Sequence, residues 1–161
     1  MSAETVATGV EALVEVAAIE RVKHRYLRLL DTKAFDEIGG CFTADATAAF
    51  SDGRHQLSSR AEIVAFFERL LGSPQVLTNH RAHQPEIDLT GPDTAVGVWA
   101  LDDEVIALDR DVTLRGTAFY EDTYTQVDGV WLISGTGYRR VYEEVVPRAD
   151  GQQLTVNRFA R

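Results

Sequence analysis

Apolar residues recur at helical spacing from Val10 onward, with Ile19, Val22, Tyr26, Leu29 and Leu30 on one stripe and Arg21, Arg25 and Arg28 on another. The spacing predicts a long amphipathic helix that stops near residues 31–33, then a short second helix from Phe35 that ends at the Gly39-Gly40 pair. Residues 1–9 are small and polar and are expected to fray. Past Cys41-Phe42, residues 43–50 predict a turn and a strand of small residues, joined through Ser51-Asp52-Gly53-Arg54 to a partner at His55-Gln56-Leu57. Ser58 or Ser59 caps a third helix with Ile63, Phe66, Phe67, Leu70 and Leu71 on its apolar face, and Gly72 and Pro74 end it. Four long strands follow, over residues 76–89, 94–108, 112–127 and 130–145, and the Asp128-Gly129 pair is the strongest hairpin signal among their turns. Such strands exceed the usual ~5–6 residues and must bend. The expected fold class is therefore α+β, a curved antiparallel sheet whose concave face is covered by three N-terminal helices.

Length changes this picture little: 161 residues make one domain, placed at 1–144, with a C-terminal extension at 145–161. The extension begins with the breaker-rich run Val146-Pro147-Arg148-Ala149-Asp150-Gly151, and a cap on its own pocket, a strand on a neighbour's edge and a disordered end all remain open for it. Apolar residues at 45% and charged residues at 25% are those of a globular chain. Sixteen Lys and Arg against 25 Asp and Glu give a net charge of −9 with no basic block, which argues against nucleic-acid partners. One cysteine, Cys41, excludes an intramolecular disulfide framework and a zinc ribbon. Acids precede the first apolar residues and charges break every spanning window, so the expectation is a soluble cytoplasmic protein with no membrane partner.

Candidate chemistry concentrates in Thr78-Asn79-His80-Arg81-Ala82-His83-Gln84-Pro85, which puts polar groups where a central strand would carry apolar ones. His80 and His83 fall on opposite faces of a strand unless a bulge intervenes, which argues against a shared metal ion; no metal and no cofactor are expected. His24 and His55 read as surface residues, and Cys41 as a small buried hydrophobe. Asp31 sits near the C-terminal end of the first helix, where the macrodipole disfavours a carboxylate. Tyr26 precedes it by five residues, about 140° round an unbroken helix, so the two reach one cavity only if the helix ends between them. A plain turn at 31–33 with a core Tyr26 is the competing reading. Nucleophile elbows and phosphate loops are missing from the sequence.

Several runs in this order resemble the SnoaL-like branch of the nuclear transport factor 2-like superfamily. They are Ile19-Glu20-x-Val22-Lys23-x-x-Tyr26 leading to Leu30-Asp31-Thr32-Lys33-x-Phe35-Asp36, Cys41-Phe42-Thr43-x-Asp45-Ala46, Thr78-x-His80 with Pro85-Glu86-Ile87, Gly116-x-Ala118-x-Tyr120-x-Asp122-x-Tyr124, and Asp128-Gly129-Val130-Trp131-Leu132-Ile133. The resemblance covers residues 10–144 and implies a cone-shaped sheet around an apolar cavity. The functional positions look similar to the bile acid 7α-dehydratase and scytalone dehydratase types. In the first type, a Tyr and an Asp five residues apart work with a His on the sheet, which implies Tyr26, Asp31 and His80 here. Scytalone dehydratase-like proteins carry a second pocket His where this chain has Trp99, a departure that puts a two-histidine mechanism in doubt. Trp99, Phe50, Tyr120 and Arg139 are expected to bind substrate, Arg139 only if it faces the cavity rather than solvent.

The resemblance thus implies a cofactor-independent lyase or isomerase acting on a hydrophobic, carbonyl-bearing small molecule such as a steroid or polyketide. His80 would be the base, Asp31 its orienting carboxylate and Tyr26 a proton donor. A non-catalytic binding or scaffolding domain, like the small subunits of ring-hydroxylating dioxygenases, is the alternative. Hydrolase chemistry with an Asp/Arg/Asp arrangement is a third reading, for which the sequence singles out no second carboxylate. Apolar residues at both parities of the last two strands lead to the expectation of a homodimer or higher homo-oligomer.

Overall fold

The computed structural model describes residues 6–160, so the expected fraying of residues 1–5 lies outside the described residues. Three helices, α1 (Gly9–Asp31), α2 (Phe35–Ile38) and α3 (Arg60–Leu71), lie on one six-stranded sheet of β1 (Phe42–Phe50), β2 (His55–Leu57), β3 (Val76–Leu89), β4 (Thr94–Ala107), β5 (Val112–Val127) and β6 (Val130–Pro147). The strand order is β2-β1-β6-β5-β4-β3. All neighbours are antiparallel except β1 and β6, which run parallel, so the antiparallel expectation becomes a mixed, unclosed sheet. A parallel pair needs a long crossover, and here the whole segment from β2 to β5 supplies it.

Helix α1 buries Ile19, Val22, Tyr26, Leu27, Leu29 and Leu30 but leaves Val10, Leu13 and Val14 exposed on its first turns. Glu15 ties this overhang down by accepting hydrogen bonds from the Trp131 indole (2.5 Å) and the Gln126 amide (3.1 Å). At its other end the chain turns through Lys33, a non-glycine residue at φ 56°. The Lys33 ammonium donates to the carbonyls of Leu71 and, at 2.8 Å, Val76. These bonds join the end of α1 to the end of α3 and the start of β3. At α3, Ser59 is the cap, accepting from the Glu62 amide, while the Glu62 carboxylate reaches back to accept from the amide and hydroxyl of Ser58.

The interior is built of rings. Tyr26 packs edge-on against Phe42 at 5.3 Å between centroids, and Phe50 stacks on Phe66 at 5.6 Å. One buried ion pair crosses this apolar interior, Lys23 on α1 with Asp122 on β5, 2.7 Å apart and both wholly inaccessible. The Lys23 ammonium lies 3.3 Å above the Tyr120 ring, and Asp122 also accepts from the hydroxyls of Tyr124 (2.8 Å) and Thr136 (2.7 Å). The Trp99 indole donates to Tyr124 at 2.9 Å, extending the network to β4. Three partners around Asp122 offset the cost of removing the charges from water.

On the outer face, β4 exposes Val96 and Val98, β5 exposes Phe119 and β6 exposes Val141. The extension leaves β6 at Pro147 and returns to the helical end, where the Asn157 amide donates to the Pro74 carbonyl and Phe159 lies 5.0 Å from the Lys33 ammonium. It therefore folds back on its own domain.

Candidate active site

Helix α1 runs unbroken through Asp31, and its last turn faces the beginning of β3 across a cleft of about 410 Å³. Asp31 and His80 both line this cleft. Asp31 Oδ1 lies 2.7 Å from His80 Nδ1 and accepts the Thr78 hydroxyl at 2.9 Å, while Oδ2 accepts the His80 backbone amide at 2.9 Å. These bonds supply the compensation that the macrodipole withholds at a helix C-terminus. Burial pushes the Asp31 carboxyl up, but the hydrogen bonds and charge of His80, with the Thr78 hydroxyl, outweigh it and hold the group below the usual carboxylate range. A carboxylate against Nδ1 fixes the tautomer, with the proton on Nδ1 and the lone pair on Nε2. An imidazole held in that tautomer offers Nε2 as a proton acceptor.

The bulge in β3 comes after His83, at Gln84 (φ 48°), so His80 and His83 do face opposite sides. His83 is exposed and lies 3.4 Å from Asp102. Among the described residues no cluster of three or more His, Cys, Asp or Glu could hold a metal ion.

The remaining expected residues lie elsewhere. Tyr26 is completely buried among rings on the far side of α1 from the cleft, which it does not line; desolvation raises its hydroxyl pKa far above the ordinary tyrosine value. The helix does not end between Tyr26 and Asp31, and this separates them. Phe50, Trp99 and Tyr120 are likewise core residues with exposures of 4% or less, and none lines the cleft. Arg139 is 77% exposed on the outer face, 3.6 Å from Glu121, the solvent-facing one of the two alternatives left open for it, so it does not line the cleft.

The inward residue is its neighbour. Arg140 forms a two-pronged ion pair with Asp103, at 2.5 and 2.8 Å, and its Nε lies 3.0 Å from Glu143. Asp103 is the direct cross-strand partner of His80 and is buried. The approach of Arg140 to Asp103 passes over Gly116, where an added Cβ would stand 2.8 Å from the guanidinium. Asp103 and Arg140 thus form a second charged pair on the strands beside His80. Asp103 is the second carboxylate that the sequence did not single out. The signal was present: Ala95, Gly97, Trp99, Leu101 and Asp103 share one parity of β4, so Asp103 continues a buried series.

The fold has counterparts among known proteins. The sequence matches the SnoaL-like domain over residues 11–136. A curated relative, the probable cyclase FGR4 of Gibberella zeae, is 25% identical over 138 residues, spanning 78% of this chain and 91% of its own. Among solved structures, a protein of Novosphingobium aromaticivorans provisionally named a scytalone dehydratase superposes with a TM-score of 0.77 at 20% identity, covering 88% of this chain and 97% of that one. The hexachlorocyclohexane dehydrochlorinase LinA-type3 of Novosphingobium barchaimii superposes with a TM-score of 0.76 at 16% identity, covering 89% and 96%. With the family match spanning most of the chain, this protein belongs to the SnoaL-like family, on the nuclear transport factor 2-like fold.

Proposed function

We propose that the protein is a cofactor-independent lyase or isomerase acting on a carbonyl-bearing small molecule, with His80 as general base and Asp31 as the carboxylate that orients it. The observation that carries this reading is the 2.7 Å contact between Asp31 and His80 Nδ1 at the wall of an open cleft. His80 Nε2 takes a proton adjacent to the carbonyl, and Asp31 stabilises the imidazolium that forms. Elimination of a β-substituent, or return of the proton at a different carbon, completes a dehydration or an isomerisation. The cyclase and dehydrochlorinase named above carry reaction classes in keeping with such a proton abstraction.

Tyr26 serves here as a packing residue of α1 rather than as the proton donor, because it is sealed behind the helix. A binding role without turnover is the second reading, and one observation favours it: Phe50, Trp99 and Tyr120 fill the interior instead of lining the cleft. The deciding experiment incubates steroid and polyketide-type ketones in deuterium oxide and follows α-proton exchange by NMR. Exchange by the wild type that is lost in His80→Ala supports catalysis. Exchange unaffected by both His80→Ala and Asp31→Asn removes the dyad from the mechanism.

A further inference from the structure

The arginine stripe of α1 has no part in the fold's core or in the proton transfer, yet it runs to the edge of the cleft. Arg21, Arg25 and Arg28 occupy one exposed face, at one helical turn apiece, with His24 among them. A second groove of about 570 Å³ lies along this face and shares His24 and Arg28 with the Asp31–His80 cleft. Arg81, on β3, lines the cleft from the opposite wall.

We propose that the site selects substrates carrying an anionic group, a carboxylate or a phosphate, held between Arg28 and Arg81 beside the reacting carbonyl. This rests on the catalytic reading above and names the substrate class for it. Two observations and one chemical match carry the inference.

The charge of the lining is opposite to that of the chain, which is −9 overall. Asp31 is the cleft's own acid, and both of its oxygens are already occupied by Thr78 and His80, with the Arg81 guanidinium 3.8 Å away. Glu20 is the one acid lining the second groove. Among the described residues, ion pairs reach Arg25, at 3.9 Å from Glu37, and Arg81, but neither Arg21 nor Arg28.

The placement also suits a ligand that reacts at His80. Arg28 precedes Asp31 by three residues, about 4.5 Å of helix rise, so an anion on Arg28 stands one turn from the dyad. Arg21 lies ~10 Å further along the same face, where a longer ligand's second anionic group would be met. Finally, guanidinium forks match the planar oxygens of carboxylates and phosphates better than they match neutral carbonyls.

The test titrates the protein with three para-substituted acetophenones, para-acetylbenzamide, its near-isostere para-acetylbenzoate, and para-acetylphenyl phosphate, at low and high ionic strength. The expected result is that one or both anions bind about tenfold tighter than the amide at low salt. Whichever anion is preferred distinguishes a carboxylate from a phosphate source. Arg28→Gln and Arg81→Gln, both surface substitutions, should each shrink the preference severalfold, whereas His80→Ala should leave it in place. Equal binding of all three ketones overturns the proposal, as does a preference that survives Arg28→Gln combined with Arg81→Gln. An anion preference with no α-proton exchange on any ketone would sink the catalytic reading alone, so the two failures are distinguishable.

Discussion

Asp31 holds His80 at two points, accepting the imidazole N–H on one oxygen and the same residue's backbone amide on the other. The backbone bond locks the position of β3 against α1, and the side-chain bond then locks the ring. Ring orientation and strand placement therefore depend on a single carboxylate.

In the proposed mechanism His80→Ala removes the base, and kcat for ketone turnover should fall by about 10²- to 10⁴-fold. Asp31→Asn keeps the shape but exchanges a charged acceptor for a neutral amide, so its loss should fall mainly on kcat, with KM little changed. Steady-state kinetics on the ketone that shows α-proton exchange would check both.

The acid limb of stability carries the mark of the same group. The folded pKa of Asp31 is depressed, so its contribution is fully present above the ordinary carboxylate value of 3.8 and is lost as pH falls through the lower folded value. The stability gap between wild type and Asp31→Asn should therefore be widest at neutral pH and close as pH drops below 3.8. Urea unfolding across that range, followed by circular dichroism, measures it.

Lys23 and Asp122 make a sterner demand, because neither reaches solvent. Lys23→Ala leaves a buried carboxylate with only Tyr124 and Thr136 as partners and should destabilise by about 3–5 kcal/mol. Lys23→Met with Asp122→Asn removes both charges while keeping one acceptor oxygen, and the hydroxyl that meets the new amide NH2 turns to accept from it. The double variant should cost clearly less than the sum of its single changes, a coupling read from a double-mutant cycle by chemical denaturation.

On the outer face, Phe119 is 49% exposed and Val96, Val98 and Val141 are exposed on the flanking strands, and these positions are expected to pack against a second copy of the chain. Light scattering should give a mass near twice 17.8 kDa, and Phe119→Asp should return it toward the monomer. A wild-type monomer at all concentrations would remove the dimer.

Much of this architecture was legible because its periodicities are local. The stripe on α1, the Ser59 cap and the alternation that separates His80 from His83 each follow from neighbouring residues. The misreadings came from events that no local pattern reports. Trp131 and Ile133 are buried at odd positions of β6, and continuing that count turns Arg139 inward. The pairing of β5 with β6 shifts between Thr123 and Tyr124, the buried parity passes to Thr136, and Arg140 becomes the inward arginine. Tyr26 was linked to Asp31 through the family resemblance; their spacing allowed a shared cavity only if the helix ended between them, and it runs on through Asp31. The Lys23–Asp122 pair was within reach of pattern reading: each is a charge at a position its own element buries, and the charges are opposite. Parallel pairing of β1 with β6 was out of reach, since it joins strands that are remote in sequence.

That parallel pairing bears on how the protein is made. β6 is the last of these six strands to leave the ribosome, yet in the finished sheet it lies between β1 and β5. The β1–β2 hairpin, with α3 behind it, and the β3–β5 meander can form while the chain is still growing, but they share no sheet until β6 arrives to bridge them. A nascent chain halted before Val130 would thus display two unjoined half-sheets with open edges, the state most exposed to chaperones and to aggregation.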